Sequence, residues 1–117
     1  MKFIFDTISR SVNRDAFDCG IESLNDFLKR HALQNLKKNL GVTLVAVSEE
    51  DRRKILGYYT ASMAQMSFEQ IPAALSRGIP RYPIPAMRIG RLAVERSARG
   101  RGVGGELLRD AIMRALD

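Results

Sequence analysis

The stretch AMRIGRLAVERSARGRGVGGELL, residues 86–108, decides how the rest of the chain is read. Residues 86–94 predict a short strand, released by Pro85. Beyond a glycine-rich turn, Val103, Leu107, Leu108, Ala111, Ile112 and Ala115 keep helical spacing and predict an amphipathic helix. Glycines are costly in chain entropy, so a cluster at a helix start needs a reason. Backbone N–H groups of residues 100–105 can approach an anion closely, and the helix directs its positive end at the same point. Strand, turn and helix together make a diphosphate cradle with Arg99 and Arg101 at its rim.

A nucleotide-triphosphate loop is excluded, because it ends in Gly-Lys-Ser/Thr and here Gly104-Gly105 leads into Glu106. Gly100-x-Gly102-x-x-Gly105 formally fits a dinucleotide fingerprint, but that motif closes the first strand of a βαβ unit and needs an acid about twenty residues on. A glycine turn without a ligand is the bland reading. The remaining one is a Q/R-x-x-G-x-G/A loop, met by Arg99, Gly102 and Gly104.

Upstream, residues 54–66 and Val42–Ser48 predict an antiparallel hairpin around the charged turn 49–53; Val42–Ser48 is apolar enough to be buried on both faces. Residues 21–40 predict one helix, with Ser23 and Asp26 at capping-box spacing and Gly41 as its stop. Residues 2–9 predict a first strand. The four prolines fall in residues 71–85 and predict a loop or short-helix excursion. The order is strand, helix, strand, strand, loop, strand, glycine turn, helix, within one domain over residues 1–117.

The chain has 117 residues, 45% of them hydrophobic, enough for a real core. Nineteen basic residues against 13 acidic leave a net charge of +6. Arginines crowd residues 77–101, where Glu95 is the single acid, which suits either a phosphate-rich partner or a solvated basic surface. One cysteine and one histidine (Cys19, His31) exclude a disulfide framework and a zinc site, and fit a reducing, cytoplasmic compartment. Neither a signal peptide nor a membrane span is legible.

Three blocks extend the match to the loop: FDCGIESLNDFLKRHA (17–32), ILGYYTASMA (55–64) and IPRYPIPAMRIGRLAVERSARGRGVGGELL (79–108). With them the chain resembles the GNAT superfamily of N-acetyltransferases, and within it the toxin-type enzymes that acetylate aminoacyl-tRNA. The resemblance implies an α+β fold, a mostly antiparallel sheet flanked by helices. It implies acetyl-CoA as acetyl donor, with Leu92, Ala93 and Val94 lending backbone groups to the pantetheine arm and thioester carbonyl. The diphosphate would lie on Arg99, Gly100, Arg101, Gly102, Val103, Gly104 and Gly105. The acceptor would be the amine of an aminoacyl-tRNA, with Arg77, Arg81, Arg88 and Arg91 toward tRNA phosphates. An antitoxin would neutralise the enzyme.

The chain departs from the family after this helix, where members add further strands and a helix, including a tyrosine that acts as general acid. The C-terminal part is expected to be missing, and the chain to be weak or inactive alone and to cover an open strand edge by homodimerising or binding a partner. No catalytic residue is assigned. Tyr58 and Tyr59 alternate across their strand, one expected in the core and the other lining the acceptor cleft. His31 and Cys19 are read as structural, and Glu95 as loop-fixing or surface rather than a proton acceptor. The competing reading is a non-catalytic GNAT remnant that binds protein or nucleic acid.

Overall fold

A computed structural model describes residues 2–66, 73–74, 78 and 84–116. Four strands, β1 (Phe3–Thr7), β2 (Val42–Ser48), β3 (Gly57–Met66) and β4 (Ile84–Val94), form one antiparallel sheet in the order β1-β2-β3-β4. Helices α1 (Glu22–Arg30) and α2 (Ala32–Lys37) cover one face, and α3 (Val103–Ala115) covers the other. This is the α+β layering expected, and β2 shows why it holds. Val45 and Val47 join Phe27, Leu28 and Ala32 in one core, while Leu44 and Ala46 join Val103, Leu107 and Ala111 in the second. A strand flanked by helices on both sides needs apolar residues at every position, not at alternate ones.

The single helix expected over residues 21–40 is broken at His31, whose φ opens to −119°. Hydrogen bonding runs through the bend, from His31 N to Phe27 O and from Asn35 N to His31 O. Ala32, directly after it, is wholly buried with Leu28. Asn39, at φ 56°, ends the second helix two residues before the stop expected at Gly41.

The capping box is also corrected. Ser23 lies inside α1, whose N-cap is Ile21 with no side-chain cap. Asn25 does related work from within the helix: its Oδ1 accepts from Cys19 N at 2.9 Å and its Nδ2 donates to Asp18 Oδ1 at 3.0 Å.

β4 begins at Ile84, so Pro85 is inside the strand, opposite Gln65, rather than the end of the loop. Among the described residues β4 is an edge strand, where a missing N–H is tolerated. Its pairing shifts from Thr60↔Arg91 to Ala61↔Ile89, which leaves Gly90 as an unpaired bulge residue. Arg77, Arg81 and Tyr82, with the other three prolines, lie outside the described residues.

Gly57 lets α3 approach the sheet. A Cβ there would stand 2.9 Å from both Ala93 O and Leu107 Cδ1, and 3.0 Å from Val103 Cγ1. The first turns of α3 are thereby pressed against the β3–β4 pair, which fixes where the preceding loop lies.

Candidate functional site

β4 runs out at Val94, and the chain turns through Glu95 and a short 3-10 helix, Arg96–Ala98, into the glycine loop. Glu95 is buried and caps that turn, its Oε2 accepting from Ser97 N at 2.6 Å and from Ser97 Oγ. Its loop-fixing role is visible, and it is not at the surface. Gly100 and Gly102 take φ of 79° and 81°, a left-handed conformation that other residues adopt only with strain. Gly102 is the N-cap of α3 and provides no side-chain cap. The amides that open α3 are therefore uncapped donors among the described residues, at the positive end of a 13-residue helix.

Room is left in front of them. A Cβ at Gly100, Gly102 or Gly105 would meet nothing within 4 Å, whereas one at Gly104 would touch Val94 Cγ2 at 3.5 Å. A groove of about 440 Å³, lined by Lys2, Phe3, Phe5, Arg101, Gly102 and Glu106, opens beside the loop. Val103 is buried in the α3 core, so only its backbone faces the turn. Arg101 is exposed.

Of the rim arginines, Arg101 makes no side-chain hydrogen bond or ion pair among the described residues, whereas Arg99, with its neighbour Arg96, is tied to the turn before α1. Arg99 is exposed overall, yet its Nη2 donates to Cys19 O, which ties its guanidinium to the turn that leads into α1. Arg96 donates its backbone N to Asp18 O at 2.8 Å and brings Nη1 to 3.6 Å from Asp18 Oδ2. Asp18 also accepts from Gly20 N, and that bond, then Asn25 and Arg96, holds its carboxyl below the usual range.

On β4, Leu92 is 37% exposed, Ala93 is buried and Val94 half-buried. The strand bonds to β3 on one edge and has no strand partner on the other among the described residues. Arg88 and Arg91 pair with Ser62 and Thr60 and face the α1 side of the sheet, Arg91 stacking 3.7 Å over the Phe27 ring. Both are exposed, and they are brought onto one face but not to the glycine loop.

The tyrosine expected at an acceptor cleft is not there: Tyr58 and Tyr59 are both fully buried. The sheet has a core on each face, so alternation sends each ring into one of them. Tyr58 donates to Leu24 O at 2.7 Å and Tyr59 to Asp110 Oδ2 at 2.6 Å. Burial pushes the Tyr58 phenol up to about 12. Burial and the bond to Asp110 push Tyr59 up as well. Cys19 is buried, as a structural residue should be; His31 is instead half-exposed beside Asp26. No metal-ligating cluster and no membrane-length apolar helix occur among the described residues.

Asp18, Asn25 and Asp110 were not singled out from sequence. Asn25 had a signal: a polar residue within the stripe Leu24, Phe27, Leu28 must find partners when buried.

No protein-family model matches the chain. Among curated proteins it is 35% identical over 109 residues to a tRNA-acetylating toxin of Mycobacterium tuberculosis, covering 93% of this chain and 63% of that protein. It is 32% identical over 103 residues to a probable toxin TacT of Sinorhizobium fredii, covering 87% and 56%. The chain thus spans 56% to 63% of the length of these relatives. Among solved structures it superposes on AtaT complexed with acetyl-methionyl-tRNAfMet with a TM-score of 0.84, at 27% identity, over 94% of this chain and 66% of that one. AtaTR bound with AcCoA gives a TM-score of 0.79 at 28% identity, over 97% and 67%. A tyrosine-to-phenylalanine mutant of KacT gives 0.86 at 29% identity, over 98% and 69%.

Proposed function

We propose, from the premise that sequence and fold group this chain with the toxin-type GNAT acetyltransferases, that it binds acetyl-CoA and serves acetyl transfer to the amino group of an aminoacyl-tRNA. The observation that carries this reading is the uncapped start of α3, with open space before Gly100, Gly102 and Gly105. A pyrophosphate needs N–H donors left unpaired at a helix start and a backbone without side chains in the way, and both support this reading of the turn.

Bound acetyl-CoA supplies an activated acetyl group that a neutral primary amine can attack. The chain's own part is positioning. Amides of residues 100–105 hold the diphosphate, and Gly57 sets their distance from β4 by letting α3 lie close. Leu92, Ala93 and Val94 present peptide groups at an edge that no described strand occupies, where a pantetheine arm can bond as an added strand would. Holding donor and acceptor together converts a two-body reaction into an effectively one-body one. Neither Tyr58 nor Tyr59 is free to give a proton, because both phenols are buried and already donating. Arg88 and Arg91, with Arg77 and Arg81, are the cations offered to tRNA phosphates. The protein then acts in the cytoplasm as the toxin of a toxin–antitoxin pair, opposed by an antitoxin.

Titration calorimetry with CoA tests the reading. Gly102→Glu puts a carboxylate and an unfavourable φ against the diphosphate, and binding is expected to be lost with the fold intact by circular dichroism. Equal CoA affinity in wild type and variant, or no binding by wild type, defeats it.

A further inference from the structure

The block FDCGIESLNDFL, residues 17–28, is distinctive in the sequence and lies outside the residues proposed to contact acetyl-CoA. Its first turn is built against the glycine loop. Cys19 O accepts from Arg99 Nη2, and Asp18 O accepts from Arg96 N. Gly20, at φ 86°, leaves the space: a Cβ there would stand 3.0 Å from Arg99 Nη2. Asp18 keeps the turn in shape, since its Oδ1 accepts from Gly20 N at 2.8 Å and Asn25 Nδ2 at 3.0 Å while Oδ2 faces Arg96. Asn25 closes the ring through Cys19 N. Most of these contacts hold backbone atoms of residues 18–20 and 96, and the bond to Cys19 O ties Arg99 to that turn instead of leaving it an independent phosphate ligand.

We propose that Asp18, Cys19 O and Gly20 form a latch that positions the glycine loop through Arg96 and Arg99, which makes Asp18 a positioning residue for the anion site and Arg99 its tether. The latch deepens the acetyl-CoA reading and rests on it for the identity of the anion. Two hydrogen bonds, one ion pair and one steric allowance converge on the residues that join β4 to the loop. Among the described residues the other contacts that hold this segment are the Glu95 cap, the bond from Glu95 N to Leu56 O, the turn's own backbone bonds, and the packing of Ala98 and α3.

Charge separates positioning from direct electrostatics. Asp18→Asn removes a negative charge near the loop and leaves the side-chain shape. If Asp18 acted through its field alone, CoA would bind more tightly; as a positioning residue, its loss weakens CoA binding by about tenfold. Arg99→Met is expected to weaken it similarly, and the double variant to be little worse than either single one, because the Asp18 side chain shapes the turn whose Cys19 O holds Arg99, so either change releases the same junction. Unchanged or tighter binding in Asp18→Asn, or fully additive losses, overturns the latch.

A second measurement needs no ligand. Amide exchange at Ala98 and Glu106, whose N–H groups bond to Glu95 O and Gly102 O, is expected to quicken about tenfold in both variants while β2 amides are unchanged. Equal exchange overturns the latch. If wild type does not bind CoA, the acetyl-CoA reading falls and the exchange measurement alone decides the latch. Should Asp18→Asn fail to fold, Arg99→Met, altered only at an exposed side chain, carries both measurements.

Discussion

Tyr58 and Tyr59 are adjacent, and their rings lie in separate cores on opposite sides of the sheet. Tyr59 ties β3 to α3 through Asp110, and Arg114 Nε bonds the same carboxylate oxygen at 2.7 Å. Tyr59→Phe deletes one donor to an acceptor that keeps another, so the expected cost is about 1 kcal/mol in urea unfolding. The pH dependence has a definite sign. Both phenols are pushed above their ordinary value of 10.0, so above that pH the unfolded chain loses protons that the folded one keeps. The stability they contribute is complete below pH 10.0 and is lost as pH rises toward the Tyr58 value of about 12. Unfolding free energy measured at pH 9 and pH 11 should therefore fall, and fall less in Tyr59→Phe, by roughly the share of one of two phenols.

At the scale of elements, α3 carries the loop, and its seat depends on one residue without a side chain. Gly57→Ala drives a methyl within 3.0 Å of Ala93 O, Leu107 and Val103, so backbone or helix must shift. The expected cost is about 1–3 kcal/mol. Because the shift moves the loop relative to β4, CoA affinity should drop as well, which calorimetry reads. Leu107→Ala empties a fully buried position of the same seat, at about 2–5 kcal/mol. The pair distinguishes overfilling, which displaces the loop, from a cavity that leaves it in place. Most element positions were legible, because Val42–Ser48 is apolar and buried nearly throughout and α3 repeats its buried residues every fourth position, at Val103, Leu107 and Ala111. The break at His31 and the strand that absorbs Pro85 were not. A bend costs little locally and is decided by what Ala32 packs on, and a proline in a strand is decided by whether its edge is paired.

For the whole molecule, charge is the long-range property. A net +6 with Arg88 and Arg91 on one face favours a polyanion, and such binding weakens steeply with salt. Arg88→Ala is expected to lower tRNA affinity several-fold and to flatten its salt dependence by about one unit of slope. Arg91→Ala should also cost stability, since its head covers the Phe27 ring. Filter binding across a salt series, with urea unfolding beside it, checks both outcomes.

By itself the sequence determined the class of fold and the glycine loop, because periodic apolar burial and a cluster of glycines at a helix start are local patterns. Tertiary structure alone decided that Arg99 reaches back to Cys19, that Asp18 and Asn25 knit that junction, and that both tyrosines are sealed in cores. The physical reason is sequence separation. Arg99 and Cys19 are 80 residues apart, and Tyr59 and Asp110 are 51 apart. Hydrogen bonds across such spans leave no periodic trace, since only the packing of sheet and helices brings the partners together.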